Sequence, residues 1–250
     1  MKTFFAGADG CRRGWAVAIM QPDGAFAPLD VVATFAELAQ ATALARLTLV
    51  DIPMGLLDGP GATERRCERE ARQLLGPRRS SLFAVPVRAA VHAGSYAEAC
   101  HLNQLATGKK LSIQTWGIVP KIAEADLVLR ATSSPGLQGR VRECHPEVCF
   151  AALNGWQPLV ASKKTPEGVA QRLALLAAHV PNAGDALNEA RSRYKRADVA
   201  TDDLLDAMVA AVSARLAAAR GMPTVPPAPP QDRFGIPMAI VTPYPPGHIR

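Results

Sequence analysis

Acidic side chains stand in this chain where apolar runs give way to loops and where a helix pattern begins. Asp9 follows the apolar run Thr3–Ala8, Asp51 closes the run Leu47–Asp51, and Asp203 and Asp206 open an alanine-rich helix pattern. An acid at the end of a central strand is held on rigid backbone and points toward the open edge of the sheet. Acids from separate segments can therefore converge there. Hard cations such as Mg²⁺ and Mn²⁺ take oxygen ligands, few of them from protein. Two such cations can activate a water and stabilise the leaving oxygen of a phosphodiester. Each acid alone has a plainer reading. Asp9 in Ala-Asp-Gly suits a turn, and Asp202 or Asp203 suits a helix N-cap.

A second cluster is Glu143-Cys144-His145-Pro146-Glu147. Glu143 ends a predicted strand and could add a carboxylate to the set, while Glu147 falls in the first turn of a helix. Cys144, His145 and Cys149 lack the ligand spacing of a zinc site. Cys11 and Cys67 read as ordinary thiols. No phosphate loop, serine nucleophile elbow or dinucleotide fingerprint is present.

Seven arginines against three acids lie between Glu64 and Arg88. That density fits either a solvated helix face laced with ion pairs such as Glu68 with Arg72, or a surface that contacts phosphates.

The elements that must position these residues follow from patterning. Thr3–Ala8 and Gly14–Met20 form a hairpin around the loop Asp9–Arg13, and a weaker strand falls around Ala25–Val32. Phe35–Leu44 is a helix, with Thr34 as N-cap and Glu37 completing a capping box. Leu47–Asp51 is a continuous apolar strand of the buried central kind. Helices are predicted from a Thr63 cap to Leu75, over Tyr96–Thr107, over Ile122–Leu129, and from near Glu147. Two more cover Pro166–Val180 and Asp202–Arg220. A loop covers Ser133–Gly136 and a strand Arg140–Cys144. The tail from Pro223 holds nine of the 21 prolines, yet Phe234–Val241 embeds a short apolar strand.

The chain has 250 residues, 48% of them hydrophobic, and a net charge of +6. That suits one α/β domain over 1–250: a mixed sheet of antiparallel hairpin strands plus parallel strands, with helices on both faces. A helical insertion occupies 60–135, and a proline-rich tail over 223–250 packs on the domain. No apolar run reaches the roughly 20 residues of a membrane span. Asp9, Arg12 and Arg13 interrupt the N-terminal run before it could serve as a leader. Five scattered cysteines do not make a disulfide framework, so a reducing cytoplasm is the expected setting.

At these segments the sequence resembles the family called DUF429, described as predicted nucleases with a ribonuclease H-like fold. The matching stretches include Gly7-Ala8-Asp9-Gly10-Cys11-Arg12, Asp51-Ile52-Pro53-Met54-Gly55-Leu56 and Cys67-Glu68-Arg69-Glu70-Ala71-Arg72. They continue through Pro120-Lys121-Ile122, Glu143-Cys144-His145-Pro146-Glu147, Lys163-Lys164, Asp202-Asp203-Leu204-Leu205-Asp206-Ala207 and Gly235-Ile236-Pro237-Met238. The resemblance implies a first-strand metal ligand at Asp9, a fourth-strand acid at Asp51, and last ligands on the final helix at Asp203 and Asp206. The i,i+3 spacing puts those two on one face. Glu143 has no firm counterpart in that scheme, and its catalytic role extends it.

Three readings follow. In the first, Asp9, Asp51 and Asp206 hold Mg²⁺ or Mn²⁺ in a nuclease acting on DNA or RNA. Arg12, Arg78, Arg88 and Lys121 then meet the phosphates of the nucleic acid. In the second, the protein binds nucleic acid or acts as a scaffold with the same fold and no catalysis. The third, a small-molecule phosphotransferase, lacks the second domain and glycine-rich loops that such a class uses.

Overall fold

The computed structural model describes residues 3–59, 61, 64–131 and 136–246. The chain opens with β1 (Phe4–Cys11), β2 (Gly14–Met20), β3 (Asp30–Val32), α1 (Phe35–Ala41) and β4 (Ala45–Asp51). The segment to the next strand holds α2 (Arg66–Leu75), α3 (Arg88–Val91), α4 (Tyr96–Thr107), α5 (Ile113–Arg130) and α6 (Leu137–Arg140). Then come β5 (Val141–Glu143), α7 (Pro146–Leu153), α8 (Pro166–Ala177), α9 (Ala183–Arg193), α10 (Thr201–Ala218), β6 (Thr224–Val225) and β7 (Ile240–Val241).

Five strands make one sheet in the order β3-β2-β1-β4-β5. β2 runs antiparallel to both β1 and β3, while β1 with β4 and β4 with β5 are parallel. The period-2 alternation of β2 divides the core. Trp15 and Val17 join Ala8 and Val50 against Phe35 and Leu38 of α1 and Ile122 and Ala125 of α5. Ala16, Ala18 and Met20 join Leu47 and Leu49 on the opposite face, under α10. The sheet is therefore mixed and covered by helices on both faces.

α1 has only seven residues, too few to persist alone. Burial of Phe35 and Leu38, about 1.5–3 kcal/mol each, and the Thr34 hydroxyl accepting from the Glu37 amide hold it. α10 is different in kind, because every residue from Leu204 to Ala214 is buried. A helix apolar all round belongs in the middle of a protein, and α10 packs on β1, β2 and β4 and against α7, α8 and α9.

Several boundaries differ from those read in the sequence. β3 is three residues long, and Phe26 makes only an isolated bridge to Met20. Pro28 lies between them and has no amide hydrogen to extend the ladder. α5 begins nine residues before the expected Ile122, because Ser112 caps it and the helix carries Pro120 in its interior. No element predicted from the sequence covers α9. Thr63 and Ser133–Pro135, read as a cap and a loop, lie outside the described residues. In the tail β6 pairs with β7, and Ile236, Met238 and Ile240 are buried. Among the described residues no helix is long and apolar enough to cross a membrane.

Candidate metal centre

β1 and β4 are parallel neighbours, and their pairing sets Asp9 directly opposite Asp51. Asp51 is the last residue of β4 and Asp9 lies two residues before the end of β1, toward the carboxyl edge where open α/β sheets hold ligands. The pleat puts Asp51 on the same side as Leu47 and Leu49, the face covered by α10. Gly7, two residues before Asp9, is what lets α10 come close. A Cβ there would stand 2.1 Å from the amide nitrogen of Ala211 and 2.3 Å from the carbonyl oxygen of Ala207. The helix backbone rests on bare strand backbone, and its first turns reach the strand ends. Carboxylate oxygens of Asp9, Asp51 and Asp206 consequently lie within 4.8 Å of one another.

Asp206 is 1% exposed and Asp9 8%. Oδ2 of Asp206 accepts from Nζ of Lys163 at 2.5 Å. Its Oδ1 is buried and has no hydrogen-bond partner among the described residues. Such an atom needs an explanation, and one is a cation held with the two neighbouring carboxylates. The three residues therefore fit a hard divalent ion: all-oxygen donors, from separate rigid elements, with an unpartnered oxygen among them.

Burial raises the pKa of all three, and repulsion within the cluster adds to it for Asp9 and Asp51. Asp51 is pushed up to about 8 by burial and then by Asp206. Asp9 is raised well above the carboxylate range by burial, then by Asp51 and Asp206. Asp206 reaches about 6, since burial outweighs the pull of Lys163. Burial disfavours the Lys163 charge, but Asp206, Asp9 and Asp51 together overcome this and hold the ammonium charged. These acids repel one another and cannot all ionise without added positive charge.

The other two acids sit nearby in different work. Oδ2 of Asp203 accepts the Ala200 amide at 2.9 Å, so its side chain turns back to cap α10. Glu143 is 5% exposed and accepts from Arg65 at 2.6 Å and from the Met54 amide at 2.7 Å. It fastens the loop that follows Asp51. Cys67, Glu68 and Glu143 form a second close group, but Arg65 fills it, donating to both acids and to the carbonyls of Met54 and Gly55. The zinc trio is not assembled, since His145 Nε2 faces the Ser81 carbonyl at 3.4 Å.

A family model described as "Protein of unknown function (DUF429)" matches residues 7–232. The chain belongs to the DUF429 family. No curated protein and no solved structure matches it. The matched span carries all three clustered acids, Lys163 and most of the described fold of this DUF429 chain.

The cations expected to meet phosphate fall in four different settings. Arg12 is exposed in the β1–β2 turn. Lys121 donates to the Gly14 carbonyl at 2.6 Å and lies 4.5 Å from the Trp15 ring, pinning the hairpin. Arg78 is partly exposed, 3.6 Å from Glu147. Arg88 corrects the expectation: it is 3% exposed and engaged by Asp58, Asp126 and Asp232, so its guanidinium has no surface to offer. The arginine-dense stretch is thus largely paired. Glu68 pairs with Arg65 rather than Arg72, because both are buried beneath the Met54 loop, and Arg72 turns to Glu64.

Lys163 and Arg65 carry no role in the sequence reading. For Lys163 the available signal was its place in Lys163-Lys164, just before the Thr165 cap of α8. Glu147, in the first turn of α7, is held by Arg172 at 2.6 Å and adds to the repulsion on Asp51 and Asp206.

Proposed function

We propose that this protein is a metal-dependent nuclease of ribonuclease H-like fold that hydrolyses phosphodiester bonds of DNA or RNA. The observation that carries the reading is the meeting of Asp9, Asp51 and Asp206 within 4.8 Å, with Oδ1 of Asp206 buried and unpartnered. The acids come from the first strand, the fourth strand and a late helix, the placement that the family resemblance implies. Asp9, Asp51 and Asp206 would hold Mg²⁺ or Mn²⁺. When bound, such an ion supplies charge stabilisation at phosphorus and a lowered pKa for water.

The chain's own residues prepare that site. The β1–β4 register fixes Asp9 against Asp51, and α10 carries Asp206 in over Gly7. Glu143 and Arg65 hold the loop after Asp51 in place. Lys163 keeps a positive charge at the cluster, and it would supply that charge to a phosphate oxygen beside a cation held by Asp9, Asp51 and Asp206.

One observation favours the alternative of an inert nucleic-acid-binding or scaffold protein: Lys163 already occupies Asp206, as it would in a neutralised, non-catalytic cluster. A single experiment decides between them. Labelled single-stranded and duplex DNA and RNA are incubated with the protein in Mn²⁺ or in EDTA, beside folded Asp9→Asn. Mn²⁺-dependent strand loss that Asp9→Asn abolishes supports the nuclease. Salt-dependent binding without strand loss supports the alternative, and cleavage by Asp9→Asn at the wild-type rate rejects this metal assignment.

A further inference from the structure

Lys163 belongs to two neighbourhoods. On one side it meets Asp206; on the other it lines a cavity of about 490 Å³ bounded by the starts of α8 and α10 and by α9. Lys163, Lys164, Arg191 and Arg196 line this cavity, against Asp202 as the acid. Lys163 lies 3.7 Å from Asp202 but is held more closely by Asp206, at 2.5 Å. Among the described residues Lys164, Arg191 and Arg196 pair with no carboxylate, whereas nearby Arg193 reaches Glu189. Unbalanced positive charge is therefore gathered around one concavity.

The local structure holds it there. Thr165 caps α8 through its hydroxyl and also donates to the Ser162 carbonyl, folding 162–165 into a tight turn. Gly168 lets that turn lie on the helix, since a Cβ would stand 2.0 Å from the Ser162 oxygen. Lys163 is thereby aimed at the acids while Lys164 faces the cavity. The starts of two helices at the rim add their partial positive charge.

We propose that this cavity is a phosphate subsite that seats a phosphate of the nucleic-acid strand beside the metal centre; the inference rests on the nuclease reading. The volume is within the range of about 300–1,000 Å³ usual for small-ligand sites, so a phosphate and its sugar fit. Lysine supplies point charges and arginine a planar donor fork, the pair of chemistries that phosphate oxygens accept. Lys163, which meets both Asp202 of the cavity and Asp206 of the acid cluster, joins the subsite to the metal centre. The phosphate is either an internal phosphodiester or a terminal one.

The test is fluorescence anisotropy with a labelled single-stranded oligonucleotide, with and without a 5′-phosphate, in EDTA. Wild-type protein is compared with Arg191→Glu/Arg196→Glu, with Lys164→Glu, and with Arg46→Glu/Lys110→Glu, which changes exposed charge elsewhere to the same extent as the double cavity variant. The cavity variants are expected to weaken binding by about tenfold or more and to flatten the salt dependence by about 0.7 per lost contact. The charge-matched control stays near wild type. An effect on both oligonucleotides assigns an internal phosphodiester, and one confined to the phosphorylated strand assigns a terminal phosphate. Cavity variants that bind like wild type, or a control that loses as much, overturn the subsite alone. Wild-type protein that binds neither oligonucleotide overturns the subsite, while the nuclease reading stands or falls separately on Mn²⁺-dependent strand loss.

Discussion

Asp9 and Asp51 are paired residues across two parallel strands, with Asp206 brought over them by a helix that touches the strand backbone at Gly7. The register decides the chemistry available. A slip of one residue in β4 would turn Asp51 to the opposite face, toward α5 and away from Asp206. Because Leu47 and Leu49 share the Asp51 face and are buried, the same hydrophobic pattern that folds the strand fixes the acid.

The raised acids give the stability a pH dependence with a definite sign. Asp51 moves from 3.8 to about 8 in the fold, and Asp206 to about 6. Protons therefore bind the folded state more tightly than the unfolded chain. The associated stability is complete below about pH 4 and is lost as pH rises through about 8 for Asp51. In EDTA, Asp51→Asn should gain melting temperature relative to wild type between about pH 6 and about pH 9. Mn²⁺ competes with the same protons, so its stabilisation of wild type should be larger at about pH 8.5 than at about pH 5.5. Scanning fluorimetry reads both; an equal Mn²⁺ shift at the two pH values would remove these carboxylates as the ligands.

Gly7→Ala tests the close approach of α10. The added methyl meets helix backbone, not the end of a flexible side chain, so α10 must lift. Overpacking of this kind costs about 1–3 kcal/mol or more, and each kcal/mol lowers Tm by roughly 2–4 °C in a chain of this size. Lifting α10 also draws Asp206 away, so Mn²⁺ affinity should fall by about tenfold in the folded fraction. Ala6→Gly, on the neighbouring strand position, is expected to lose stability without losing Mn²⁺ affinity. Isothermal titration separates the two effects.

Lys163→Met removes the competitor for Asp206. The metal-free protein should lose stability, since three mutually repelling acids remain without their ammonium. Mn²⁺ should bind more tightly, by about tenfold or more, roughly 1.4 kcal/mol. Unchanged or weaker Mn²⁺ binding would mean that the lysine is not in the cation's way.

Much of this arrangement was legible in the residues, and the limits are physical. Asp51 announced itself because an apolar run ending in an acid fixes both element and side-chain position, whereas Asp9, expected to open the loop Asp9–Arg13, lies inside β1, which the hairpin pairing carries on to Cys11. Asp206 followed from the strong α10 pattern, but its separation from Asp203 did not. Which of two acids on one helix face turns inward depends on Asp203 reaching back to the Ala200 amide. Lys163 lies 43 residues from Asp206 in sequence, and Arg88 lies 144 from Asp232. No local pattern encodes pairings that only tertiary packing creates. α9 was missed for another reason. Ala183, Ala186, Leu187 and Ala190 have helical spacing, yet alanines bury little area and give a weak amphipathic signal.

Arg65→Met tests whether the brace beneath the centre is needed. Arg65 is 2% exposed and joins Glu68, Glu143 and the carbonyls of Met54 and Gly55, while Glu143 takes the Met54 amide. The segment leaving Asp51 is thus tied by one guanidinium. Without it, two acids remain buried with no cation, a change that costs about 3–5 kcal/mol. Adding Glu143→Gln to Arg65→Met should recover part of that loss, because a neutral amide oxygen can still accept from Met54 and no longer needs a counter-charge. Urea midpoints at a constant slope measure each step. An Arg65→Met protein within about 0.5 kcal/mol of wild type, the range of ordinary surface changes, would show that the loop after Asp51 is held by its hydrophobic neighbours Ile52, Met54 and Leu56 instead.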